Sequence, residues 1–434
     1  MQHVPSGELS PPHQDVYKQG YPPPAQYGKV KNMREIEGFQ WGGTYNHVWH
    51  GIVEDVDTYF IDPDNGFFKI GIIYGADWLE IPMMDAERFG FFSRAALEFL
   101  LQSGRQPDIL HCHDWSTADI AKCYWDDYHP YGLSKPRIAF TIHNLGFGEE
   151  AIQEAMTYSQ VATTVSPTYA REISHEWAIV DNLSKFHGIR NGIDPDIWDP
   201  SNDEMLPVQY TDENVAEGKA AAKQALRQRM GLREIDAPVI GVVTRLTAQK
   251  GVELIKHGIY TALERGCQVV LLGSAFDPLM TEEFNQMADS LGNSYYGMAK
   301  LQFSYDEPLS HLIYAGSDML LVPSIFEPCG LSQLVAMRYG TVPIVRQTGG
   351  LYDTVFDCDH DKDRAAAESC EVNGFSFSGA DPEGMDYALN RAIDAWYNDR
   401  KWYASLQASN MRQDWTWNRP AMDYVELYRA ALKD

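Results

Sequence analysis

At 434 residues the chain is too long for one ordinary core and suits two domains of roughly 200 residues each. Its formal charge of −26 argues against nucleic acid, since such a surface repels phosphate backbones; an anionic substrate would need a few well-placed cations, and an uncharged polymer none. No run approaches the roughly 18 apolar residues of a membrane span, and six cysteines without a C-x-x-C pair are too sparse for a disulfide framework, which favours a reducing compartment.

Residues 1–30 are rich in Pro and Gly. They carry neither the apolar stretch of a secretory signal nor the Arg-rich text of a transit peptide, so they are expected to be a disordered lead-in or a ragged fragment end. From about Trp49 the text becomes short apolar runs ending in polar or small residues. PDILHCHDW, RIAFTIHN, VATTVSPT and FHGIRNGID fill the first half; PVIGVVTRL, CQVVLLGS, LQFSY, DMLLVPSIFEP and TVPIVRQTGG fill the second. Runs buried on both faces suit central parallel strands. Helical periodicity lies between them, in FFSRAALEFLLQSG, from Asn214 to Gly231, in TEEFNQMADSLG and in SHLIYAG.

This alternation predicts an α/β chain with parallel sheets. Two such sets, separated by the polar stretch from Asp199 to Asn214, predict two doubly wound, Rossmann-like domains facing an interdomain cleft. The expected boundaries are a lead-in over 1–37, an N-terminal domain over 38–200 and a C-terminal domain over 201–434, with a last helix near 420–433. Ligands of open α/β sheets bind beyond the carboxyl ends of the strands. Asp114, His143, Asn144, Arg245 and Glu327 all follow apolar runs in such places.

Arg245 and Lys250, in R-L-T-A-Q-K-G, put two cations in a strand-to-loop turn where Gly251 allows a tight bend. They could grip a diphosphate, or be an ordinary solvated pair; the acidity of the chain favours the grip. S-I-F-E-P-C-G-L-S-Q (Ser324 to Gln333) reads as strand, turn, then helix. Glu327 could accept sugar hydroxyls or steady positive charge at a reacting carbon, and could equally cap the helix. Cys329 reads as packing rather than nucleophile. Gly349 and Gly350 could let backbone approach a phosphate, although a simple turn fits as well. H-C-H-D-W (His111 to Trp115) invites a metal, but Cys112 and the two histidines point to opposite faces of an extended strand. Asp114 could instead bind sugar hydroxyls, and His143 could donate to a carbonyl or hydroxyl. Together these residues describe a nucleotide-sugar site.

H-C-H-D-W, T-I-H-N-L, T-V-S-P-T-Y, N-G-I-D-P-D-I-W-D-P, T-R-L-T-x-Q-K-G, Y-D-E-P-L-S-H-L-I-Y-A-G-S-D, S-I-F-E-P-C-G-L-S-Q and T-G-G-L-Y-D-T-V occur in that order. In these motifs the chain resembles the starch and bacterial glycogen synthases, retaining glucosyltransferases of the GT-B fold. NGFFKIGIIYG and FHGIRNGIDPDIWDP are similar to the class III or IV soluble starch synthases.

The resemblance implies transfer of glucose from ADP-glucose to the non-reducing end of an α-1,4-glucan. Arg245 and Lys250 would hold the diphosphate as leaving group, without a metal or other cofactor. Glu327 would lie near the transferred glucose, whose hydroxyls the backbone around Cys329, Gly330 and Leu331 would bind; Ser332, Gly349 and Gly350 are further candidate substrate contacts. Asp114, His143 and Asn191 would line the donor-glucose pocket, and Tyr305 would lie near the adenine. The last helix would cross back to the first domain. Partners would be ADP-glucose, starch or maltooligosaccharide and other starch-synthesising enzymes, and the compartment a plastid.

There are departures. Nothing in residues 1–38 matches the family's Lys-x-Gly-Gly-Leu loop, so the N-terminal domain is expected to be incomplete. A second glutamate common in retaining GT-B enzymes is Val335 here, and Gln347 stands where a basic residue is common. The missing loop motivates a second reading, a catalytically silent glucan-binding or scaffold homologue or an incomplete fragment.

Overall fold

The computed structural model describes residues 30–69, 84–275 and 277–433. Residues 1–29 of the expected lead-in, and 70–75 of the NGFFKIGIIYG run, lie outside the described residues. The chain divides into two units. One comprises Met1–Thr163, Ile173–His187 and Val425–Asp434; the other comprises Thr164–Glu172 and Gly188–Tyr424.

The first unit opens with an antiparallel meander of β1 (Val30–Trp41), β2 (Thr44–Val53) and β3 (Val56–Pro63). This corrects two expectations: residues 30–37 belong to a strand rather than a lead-in, and the text around Trp49 is not parallel sheet. The cause is local. Gly42 and Gly43 (φ 64° and 74°), then Glu54 and Asp55 (φ 48° and 61°), form two-residue left-handed turns that fold each strand back on the last. Helix α1 (Asp85–Gln102) covers one face, packing Ala95 and Phe99 on Phe39 and Val48. A four-stranded sheet follows, in the order β4 (Ile109–His113), β5 (Arg137–Ile142), β6 (Val161–Thr164) and β7 (Phe186–Gly188), with β4 and β5 parallel. Helix α2 (Glu149–Tyr158) leads from β5 to β6, and the short α3 (Pro167–Glu172) after β6 groups with the second unit.

The second unit is built on β8 (Val239–Arg245), β9 (Gln268–Ser274), β10 (Ala299–Gln302), β11 (Met319–Val322), β12 (Val342–Arg346) and β13 (Phe375–Phe377). Their spatial order is β10-β9-β8-β11-β12-β13, with every neighbouring pair parallel. The order therefore reverses between β8 and β11, where loops part beyond the strand ends and leave room for a ligand.

Its helices include α4 (Val215–Met230), α5 (Val252–Glu264), α6 (Pro278–Ser294), α7 (Glu307–Gly316), α8 (Ser332–Arg338), α9 (Gly349–Thr354), α10 (Pro382–Asn398), α11 (Arg400–Arg412) and the first half of α12 (Asn418–Ala431). Helices α5, α6 and α10 bury one face of the sheet around Ile240, Val242 and Leu271. Helices α4, α7 and α8 bury the other around Val239, Val270 and Leu320. Burial on both faces is why these strands read as unbroken apolar runs.

The polar stretch from Asp199 to Asn214 is not a separator. It is a strap on the second unit, with Leu206 and Tyr210 in the core. Asp203 is held by His311 Nδ1 (2.8 Å) and Tyr339 Oη (2.6 Å), Asp199 pairs with Arg338, and the Trp198 ring stacks on His311 at 4.2 Å. Partnered carboxylates, which composition alone reports as solvent-loving, carry the strap inward, so the long run of this unit begins at Gly188 rather than at 201. In the last helix, residues from Val425 group with the first unit, where Tyr428 Oη lies 2.7 Å from His111 Nδ1. Among the described residues no helix is long and apolar enough to cross a membrane.

Candidate active site

The loops after β8 and β11 meet at the point where the strand order reverses. Gly251 (φ 72°) ends the R-L-T-A-Q-K-G turn, and a Cβ there would lie 2.2 Å from the Pro323 carbonyl oxygen. Ile325 donates its amide to the Gln249 carbonyl (2.8 Å), and Gln249 Nε2 donates to the Phe326 carbonyl (3.3 Å). This register brings Lys250 Nζ to 2.6 Å from Glu327 Oε2, which also accepts from Ser324 Oγ at 2.9 Å. Glu327 is buried and Lys250 nearly so. The carboxylate is thus not a helix cap: α8 starts at Ser332 behind Leu331, with no side-chain cap. Arg245 is the last residue of β8, exposed at the same end of the sheet and in register with Ser274 of β9.

The Glu327 loop is locked from behind. Gly350 donates its amide to the Glu327 carbonyl (3.0 Å), and Gly349 donates its own to Glu172 Oε1 (3.0 Å), which also takes Thr348 Oγ1 (3.1 Å). A Cβ on Gly349 would lie 2.0 Å from the Glu327 carbonyl oxygen, and one on Gly350 1.8 Å from that of Cys329. These amides are therefore spent within the protein. The glycines let α9 press on the Glu327–Cys329 backbone.

Ser166 Oγ donates to the Pro328 carbonyl (2.6 Å), and Gln333 Nε2 to that of Gly330 (2.8 Å). Burial pushes the Cys329 thiol up to about 12, although the Asn191 backbone hydrogen-bonds its sulfur, so it is no nucleophile at neutral pH. Asn191 thus stands beside the loop. Leu331 is exposed and Ser332 opens α8. Tyr305, 65% exposed, lies in the loop between β10 and α7. Val335 is buried in α8, and Gln347 Nε2 is bonded to Ser376 Oγ (3.0 Å).

In the first unit Asp114 adopts φ 55° after β4, and its Oδ1 accepts the amides of His143 (2.6 Å) and Asn144 (3.3 Å). One carboxylate oxygen therefore ties the β4 and β5 loops together. Burial raises its pKa, and the neighbouring His143 and these amides pull it back. His113 Nδ1 lies 3.0 Å from His143 Nε2, and the His111 and His113 ring centroids lie 4.2 Å apart at a tilt of 32°, with Cys112 between them in sequence and buried. Burial holds His111 down at about 4 and His113 at about 2, so both are neutral at physiological pH. His111 is occupied by Tyr428 and Thr141 Oγ1 (2.7 Å each). Among the described residues no group of three or more His, Cys, Asp or Glu is placed to hold a metal ion.

Sequence reasoning assigned no role to Ser166, Glu172, Thr168 or Asp353. Thr168 gives its amide (2.9 Å) and hydroxyl (2.5 Å) to the Asp353 carboxylate. Two motifs quoted for the resemblance, T-V-S-P-T-Y and T-G-G-L-Y-D-T-V, contain three of these four residues. Their pairing joins positions 185 apart and leaves no periodic signal.

Two family models match the chain, "Starch synthase catalytic domain" over residues 13–155 and "Glycosyl transferases group 1" over 224–413. Starch synthase 3, chloroplastic/amyloplastic, of Arabidopsis thaliana is 60% identical over 93% of this chain and 38% of its own length. The chain thus spans little more than a third of that relative. Glycogen synthase of Protochlamydia amoebophila is 38% identical over 89% of this chain and 85% of its own. The solved catalytic domain of starch synthase IV from Arabidopsis thaliana, bound to ADP and acarbose, superposes with a TM-score of 0.86 at 39% identity, covering 94% of this chain and 90% of that one. The chain belongs to the starch and glycogen synthase family of GT-B glycosyltransferases.

Proposed function

We propose that this chain transfers glucose from ADP-glucose to the non-reducing 4-hydroxyl of an α-1,4-glucan, with retention. The observation that carries the reading is the 2.6 Å contact of Lys250 with Glu327, held at the order reversal of a parallel sheet. A cation and a buried carboxylate there suit a sugar joined to a charged leaving group. Lys250 and Arg245 neutralise the diphosphate as the bond from the anomeric carbon to phosphate oxygen breaks. Glu327 steadies positive charge on the sugar, and its loop backbone (Cys329 to Ser332) binds the hydroxyls. The acceptor oxygen bonds the anomeric carbon from the face that ADP leaves, and its proton passes to the departing phosphate. His143, Asn191 and Tyr305 take the binding roles that the family likeness assigns them, and Asp114 positions the His143 loop.

No divalent cation is needed in this scheme, because two side-chain cations supply the charge. The compartment is a plastid, in keeping with the plant relatives' names, and association with other starch-synthesising enzymes belongs to the same reading. Labelled ADP-glucose supplied with maltoheptaose tests it. Label should enter α-1,4 linkages at a rate unchanged by EDTA and reduced at least about a hundredfold by Glu327→Ala, the scale of losing one key electrostatic group. Glucan binding with no transfer would instead support a silent scaffold.

A further inference from the structure

We propose that Phe147 and Trp177 form an aromatic platform for the glucan acceptor beyond its reacting end, a subsite that rests on the glucosyltransferase reading above. Both side chains lie in the first unit and are conspicuously open, Phe147 63% exposed and Trp177 49%. Leaving so much aromatic surface in water forgoes burial energy, and grouped exposure of this kind marks binding surfaces.

One hydrogen bond and a short stretch of chain link the two residues. Trp177 Nε1 donates to Glu149 Oε2 at 2.5 Å, and Glu149 opens α2 two positions after Phe147. Between them Gly148 takes φ 68°, and a Cβ there would lie 2.3 Å from Trp115 Cβ, so the loop packs closely on Trp115. The same loop begins at His143, whose amide is held by Asp114. Phe147 is four positions after His143, so the platform starts within about 14 Å of it.

The occupant follows from the chemistry. An indole whose N–H is already bonded offers its ring faces, and its orientation is fixed before any ligand arrives, which lowers the entropic cost of binding. Ring faces suit the apolar faces of pyranose rings. Glu149 is bonded to the Trp177 indole, and Glu150 and Glu176 adjoin the two residues in sequence, so in a chain of net charge −26 this patch disfavours an anionic ligand and leaves a neutral polymer unopposed. A polymeric acceptor also needs contacts beyond the sugar that reacts, and the His143 loop leads directly to these rings.

The test compares maltoheptaose with maltose as acceptor for the wild-type chain, Phe147→Ala, Trp177→Ala and Trp177→Phe, with Tyr131→Ala as an exposed aromatic elsewhere. Calorimetric binding of maltoheptaose is measured alongside. Both alanine variants should raise the KM ratio of maltoheptaose to maltose, and the maltoheptaose Kd, by roughly fivefold each, the scale of one aromatic contact. Trp177→Phe should keep most of the affinity, and Tyr131→Ala should match wild type. Unchanged ratios and Kd in both alanine variants would overturn the platform. So would an unchanged glucan affinity with altered self-association, which would make the patch a protein contact. Binding that depends on Trp177 without any glucose transfer sinks the transferase reading alone; transfer with an unaltered chain-length dependence sinks the platform alone.

Discussion

Lys250 and Glu327 are nearly enclosed, and each makes the other tolerable there. Removing the cation leaves a buried carboxylate unpaired, so Lys250→Ala should lose about 3 kcal/mol of stability. Lys250→Ala with Glu327→Ala should recover much of that loss while remaining inactive, because the two effects are coupled. Denaturant melts of the two singles and the double check this. Gly350→Ala makes a different demand. Its methyl would meet the Cys329 carbonyl oxygen, so the Glu327 loop must move, and activity should fall at least about tenfold with the fold retained. Circular dichroism beside the transfer assay separates those outcomes. At this scale Lys250 and Glu327 were legible, because a cation and an acid after apolar runs are unusual text. The glycine pair was legible as a close approach, but its partner was not. What presses on a glycine is a tertiary fact, and at Gly350 it is the Cys329 backbone.

Elements hold their places through a few buried ion pairs that composition disguises as surface. Asp357 is fully buried, and Arg391 of α10 grips both its oxygens at 2.9 Å. Burial pushes the carboxyl up, yet the Arg391 bonds and the Ser376 and Asp359 amides together pull it below its ordinary value. A carboxyl depressed in the fold stabilises it at neutral pH, and that contribution disappears as pH falls through the folded value. Arg391→Met should therefore lower stability at pH 7 and flatten the acid limb of the stability curve, as urea melts from pH 7 to 3 would show. The same disguise explains the strap from Asp199 to Asn214, whose acids read as solvated until His311, Tyr339 and Arg338 are seen to meet them. Strands buried on both faces were legible throughout the second unit. The opening meander was not, although Gly42-Gly43 between Trp41 and Thr44 is a hairpin signal in the sequence itself.

On the scale of the molecule, net charge sets a condition on the substrates. A chain at −26 repels a nucleotide sugar at long range, and a handful of cations must capture it locally. Raising salt from low to physiological strength should speed donor association by screening that far field, while the affinity for neutral glucan stays level. Stopped-flow binding of a fluorescent ADP analogue reads the first, and calorimetry the second. The parallel sheet whose order reverses between β8 and β11 gives those cations a place to act, and the alternation of the sequence foretold that sheet. The central claim is that a diphosphate seats against Lys250 and Arg245. Calorimetric titration of ADP into the wild-type chain and Lys250→Ala tests it most directly. The account predicts saturable ADP binding that weakens at least about tenfold in the variant, the cost of one charge-assisted phosphate contact; equal ADP affinity in the two proteins would contradict it.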